Sequence, residues 1–219
     1  MLLLLMACAP LYRPGLATTP MFEDAGDLQA YGGASAGGMQ GGVAWAPAEH
    51  VGVRGNLQTA GPAYTRLSAG VGGWMAGPFD PGLPKDTGIR LGLWADGGVG
   101  AASGSFAVTI GETTSVSSFS GNFFDVGAQA LVAFEAPRVA SGLSLRGAFY
   151  QVTHDEGSDA TGHGRIAFVE PMLFARAGGE HLKGELQLGG WLPVWIPENT
   201  ATIGVPLPIN VGFALVYER

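Results

Sequence analysis

From Leu28 to the end of the chain, apolar and polar side chains alternate with a period of two, in segments of roughly ten residues parted by turn-rich breaks. Successive side chains of an extended strand point to opposite faces, so this period predicts strands with one apolar and one polar face. Ten segments carry it: 28–35, 39–46, 51–58, 65–75, 88–102, 122–135, 143–152, 166–177, 182–191 and 209–217. In the third, Val51, Val53 and Leu57 oppose Arg54, Asn56 and Gln58. In the sixth, Phe124, Val126, Ala128, Ala130, Val132 and Phe134 oppose Asp125, Gln129 and Glu135. Pro171 falls on the apolar face of the eighth and predicts a bulge there, because proline cannot donate to a ladder.

The charges divide between the faces without exception. Arg54, Arg66, Arg90, Asp96, Asp125, Glu135, Arg146, Glu170, Arg176, Lys183 and Glu185 all lie on the polar face. A soluble sandwich or lipocalin-like binder would turn that face to water, whereas a barrel crossing a membrane turns it inward. Composition favours the second arrangement. Charged residues make up 13% of the 219 and apolar residues 47%, about half the charge usual for a soluble domain. Beyond the N-terminus there is no run of about 18 apolar residues, so a helical span is excluded. Closed β-structure is the remaining way to satisfy a backbone in lipid. The expected fold is therefore all-β, a closed antiparallel up-and-down transmembrane β-barrel of ten strands, or of eight if two segments do not cross. The net charge of -7 and the lack of a basic run argue against a nucleic-acid partner.

The breaks 103–121, 153–165 and 192–208 are longer than 47–50, 136–142 and 178–181, whereas 36–38 is a very short external loop and the Pro-rich 76–87 a long periplasmic one. Bacterial membrane barrels have short periplasmic turns and longer external loops, which predicts both termini in the periplasm. The last strand adds a pattern of its own. Asn210, Gly212, Leu215 and Tyr217 resemble the assembly signal on the final strand of bacterial outer-membrane β-barrels, with Tyr217 at the interface that aromatic rings prefer. The resemblance implies outer-membrane lipid and the barrel-assembly machinery as partners.

At the other end, Leu2, Leu3, Leu4, Leu5, Met6 and Ala7 lead into Cys8, the single cysteine. This run resembles the end of a bacterial lipoprotein signal, which implies cleavage before Cys8 and a lipid on its sulfur. Residues 1–7 are then a truncated signal-like segment, 8–26 an extended tether marked by Pro10, Pro14 and Pro20, and 27–219 the barrel.

The eleven charges of the polar face, six basic and five acidic, admit two readings: an internal network of ion pairs that closes the lumen, or a narrow polar conduit for anions. The corresponding functions are a structural or interaction role and the passage of small polar solutes. The 153–165 segment holds His154, Asp155, Glu156, Asp159 and His163, residue types able to ligate a metal or activate water. Their spacing matches no nucleophile, base and orienter set, so a rim hydrolase is a third reading and the chain is read as a non-enzyme. Gly97, Gly98 and Gly100 precede neither a helix pattern nor a phosphate-binding lysine, and no cofactor motif is found. The Ser- and Thr-rich stretch 103–120 reads as an external loop, and 191–197, with Trp191 and Trp195, as an interfacial anchor.

Overall fold

Alternation of this kind buries one face of every strand, and in the computed structural model the strands bury it by closing on themselves. The structure describes residues 13, 15–78, 87–110, 113–155, 161–195 and 209–219, without the side chains of 76, 78, 104–119, 154, 155 and 161–163. Its strands are β1 (Leu28–Ser35), β2 (Gly38–Ala48), β3 (Val51–Thr59), β4 (Tyr64–Pro78), β5 (Gly88–Ile110), β6 (Thr113–Ala136), β7 (Val139–Asp155), β8 (Thr161–Gly178), β9 (Leu182–Gly190), β10 (Leu192–Trp195) and β11 (Ile209–Glu218). Each pairs antiparallel with its neighbour, β1 pairs with β11, β11 with β9, and β9 with β8, so the wall closes on itself.

The wall has ten strands, because β9 and β10 lie end to end along β8. They part at Trp191, near Pro171, which offers no N–H to that ladder. The expected bulge at Pro171 is not formed: β7 and β8 stay in register through the pair Leu145 and Pro171. A shift occurs instead between Pro193 and Trp195.

The registers fix the barrel's shape. From Ala30, paired positions run through Val43, Gly55, Ala69, Gly97, Val126 and Phe149 to Ala167. Eight residues further along β8, Ala175 pairs with Leu186, then Phe213, then Ala34, four residues beyond the start. A stagger of twelve residues over ten strands tilts the strands by about 40° and sets a backbone radius of about 10 Å, for ordinary strand spacing and rise. On the outer face, Phe124 and Phe134 stand ten residues apart on β6. At that tilt they bracket about 26 Å of height, close to the ~25 Å apolar band of a membrane barrel. Trp45, Phe134 and Tyr217, all outward, fall within about 3 Å of one height on the same geometry and form one rim of the band.

The short turns 49–50, 137–138 and 179–181 share the end at which β1 begins and β11 finishes, here called the proximal end. The distal end departs from expectation. Residues 103–120 are not an irregular loop: β5 and β6 stay paired out to Ile110 and Thr113, a hairpin rising beyond the wall. Likewise β7 and β8 pair as far as Asp155 and Thr161. Sequence periodicity missed both extensions because Ser, Thr and Gly carry little apolar contrast.

Candidate functional site

The polar faces meet inside the barrel and form two belts of charge. In the middle belt, Asp96 accepts from Arg54 and Arg146, both at 2.7 Å, and Asp125 takes both arms of Arg66 at 2.8 and 2.6 Å. Arg146 also reaches Asp125 at 2.9 Å and Glu170 at 3.0 Å. Three arginines thus face three carboxylates, and the belt is neutral. Nearer the proximal end, Arg90 pairs with Glu135, and Arg176 with Glu185, each at 2.8 Å. Lys183 lies 2.6 Å from Glu218. Every charge that the alternation places inside has an opposite partner, as buried ions require. Two partners lay outside the sequence reading: Glu218 joins Arg176, and Glu23 reaches Arg90 at 2.8 Å.

Apolar layers flank the belts. Tyr64, Phe123 and Tyr150 stack towards the distal end, with ring centroids 5.4 and 4.6 Å apart. Trp191 turns inward against Phe168 at 5.1 Å, so only Trp195 of that pair faces outward, over Phe149. At the proximal end Phe22 lies between Trp74 and Trp94, 6.1 and 6.2 Å away.

Phe22 belongs to the segment expected as a free tether. Over residues 15–22 that segment instead runs through the lumen, without joining any strand. It enters at the distal end, where Gln58 donates to the Arg13 carbonyl at 3.2 Å and Asn210 to that of Gly15 at 2.9 Å. It leaves at the proximal end, where Asp27 caps the amides of Glu23 and Asp24 at 2.7 and 3.0 Å. The chain therefore approaches β1 from the end opposite Arg219, while the N-terminus itself lies outside the described residues.

The wall holds this plug by its peptide groups. The Leu16 N–H donates to Gln40 Oε1 at 2.9 Å while Gln40 Nε2 donates back to the Leu16 carbonyl at 3.1 Å. Gln187 grips Ala17 in the same two-pronged way, at 2.8 Å in both directions. Gln29 grips Met21 at 3.2 and 2.6 Å. Between them, Arg54 and Gln129 donate to the Thr18 carbonyl at 3.3 and 3.0 Å, and Arg176 to the Thr19 carbonyl at 3.0 Å. The Thr18 hydroxyl contacts Asn56 at 3.1 Å and Tyr31 at 2.9 Å, and Tyr31 in turn bonds Asn56. The Thr19 hydroxyl donates to Glu185 at 2.8 Å.

Glycine makes the room. A Cβ on Gly212 would stand 2.2 Å from Leu16 Cδ2, and one on Gly52 would stand 2.8 Å from Phe22 Cε2. Beside the plug a cavity of about 50 Å³ remains, lined in part by Arg146, Glu170 and Ser144, with room for a few waters. Below it, a vestibule of about 670 Å³ opens at the proximal end beside Met21, Glu23 and Lys183.

No protein-family model matches the chain, and no curated protein matches it. Among solved structures, it is similar to the N-terminal β-barrel domain of OprF from Pseudomonas aeruginosa, at 10% identity and a TM-score of 0.38, over 90% of this chain and 100% of that one. The closed pairing of the wall, not that likeness, defines the fold here.

The other sequence-derived candidates fall as follows. Asn210 and Gly212 face the lumen and touch the plug, while Leu215 and Tyr217 face outward. The register sets His154 opposite Gly162 and Thr153 opposite His163, on the distal hairpin. Asp155 pairs there with Thr161, and Glu156, Asp159 and Cys8 lie outside the described residues. The plug itself was missed, since residues 15–22 have no alternation. One signal pointed to it: Gln29, Gln40, Gln58, Gln129 and Gln187 all lie on the polar face, more neutral amides than the ion pairs need.

Proposed function

We propose that this chain is an outer-membrane β-barrel with a structural or interaction role, its lumen closed by its own segment 15–22. The plug carries the reading: peptide groups of the chain occupy the space that a porin would leave to solute, and the surrounding charges neutralise one another. The membrane part is supported by the outward belt of Leu, Val, Ile, Met and Phe and by its height. With short turns on the periplasmic side, β1 begins and β11 ends there, and Arg13 lies on the external side. A lipid on Cys8, as the lipoprotein-like run implies, would then enter the external leaflet.

Two measurements test this. The protein should stay with membranes through alkaline carbonate and leave only with detergent; release by carbonate alone refutes the barrel's insertion. Reconstituted in planar bilayers, the full chain should be electrically silent, and a steady open-channel current would refute the plug.

A further inference from the structure

The plug is gripped at successive peptide groups, with side-chain contacts added at Thr18, Thr19 and Phe22. Gln40, Gln187 and Gln29 each satisfy both the N–H and the C=O of one residue, and Arg54, Gln129, Arg176 and Asn210 take further carbonyls. These are bonds that any extended peptide could make, because every non-proline residue carries the same donor and acceptor. The wall, meanwhile, closes through β1–β11 and β8–β9, pairings in which residues 15–22 take no part. Withdrawal of the segment would break none of the wall's strand pairings and would free the amides that hold it.

We infer that the lumen is a binding channel for an extended polypeptide, held chiefly through its backbone, with residues 15–22 as its resident occupant in cis. Its ligands are peptide segments with a small residue at the position of Gly15, where a Cβ would stand 2.3 Å from Gln40 Oε1, and apolar side chains at the positions of Leu16, Met21 and Phe22. The inference rests on the plug reading above, and goes beyond it in making the occupant exchangeable. A segment of another polypeptide can then enter the track when the resident one leaves.

The test uses the full chain with a site-specific protease sequence inserted after Ala25, an exposed position just outside the barrel. Cleavage after folding turns the plug into a non-covalent peptide. A fluorescent synthetic peptide with the sequence of residues 13–24 is then added in excess. It should replace the cut segment, seen by polarisation and by loss of the fragment's mass. A peptide with serine at the position of Ala17, which keeps the Thr18 and Thr19 hydroxyls in place, should bind within about threefold. A peptide N-methylated at the positions of Leu16 and Ala17 should bind at least about tenfold more weakly, for want of two donors. Because the methyl groups are on the peptide, the barrel's folding is untouched. Equal binding of methylated and plain peptides would overturn backbone reading. A cut segment that never exchanges would overturn the inference while leaving the plug standing. An uncut chain that already conducts in planar bilayers would overturn both.

Discussion

Replacing Asp125 by Ala should be the most costly single change in the middle belt. Its carboxylate is 2% exposed, accepts both arms of Arg66 and a third bond from Arg146. Without it, three arginines face two carboxylates, and among the described residues Arg66 keeps Ser68 at 3.3 Å and Asp96 at 3.8 Å. Arg146 keeps Asp96 and Glu170 and is less affected. Removing one partner of a buried pair leaves an uncompensated charge, which costs about 3–5 kcal/mol. Urea unfolding of the reconstituted protein, extrapolated linearly, would measure it. The control is the pair Arg66→Met with Asp125→Leu, which returns the belt to two cations and two anions. It should recover most of the lost stability, since an apolar pair can replace a buried ion pair at little or no cost. A loss below about 1 kcal/mol for the single variant, or no recovery in the double one, would refute the view that neutrality holds this lumen together.

Other perturbations address the outer face and the plug. Leu145→Arg, outward and near mid-band, should cost about 2–4 kcal/mol in a bilayer, and a cost near zero in the same urea assay would argue that this face meets water. Gly212→Val should push Leu16 out of its seat and give measurable current in planar bilayers, where the parent chain is silent; silence in a folded variant would show that Leu16 can move aside. Phe22→Ala should open the contact between Trp74 and Trp94 to the vestibule, shifting tryptophan emission to the red and raising quenching by acrylamide; an unchanged spectrum would place the seal elsewhere. Mass spectrometry of the membrane-extracted protein should find a diacylglyceryl adduct that Cys8→Ser abolishes, and an unmodified thiol would remove the lipid from the proposal.

Much of the wall was legible in the sequence because a strand's side-chain period is two whatever surrounds it. Arg54, Gln58, Asp125 and Gln129 were placed on the polar face by counting alone, and that is where they lie. The counting weakened where side chains offer no contrast. At 103–120 the small polar residues concealed a continuing hairpin, and at Pro171 a rule about one missing N–H predicted a bulge that the β7–β8 register does not show.

The candidate site was less legible, since its partners meet across a lumen. Arg54 bonds Gln129, 75 residues away, and Ala17 bonds Gln187, 170 away. Such separations are set by the number of strands and the stagger of their registers, which exist only once the sheet closes. The sequence by itself determined two things about this protein: which residues of the ten alternating segments face inward, and that within those segments charge is confined to them. Only the tertiary structure decided that those charges cancel, that residues 15–22 fill the space between them, and from which end they enter. The reason is physical. A strand's facing follows from its own backbone, whereas an extended segment without alternation takes its path from donors and acceptors that strands far apart in the chain bring together.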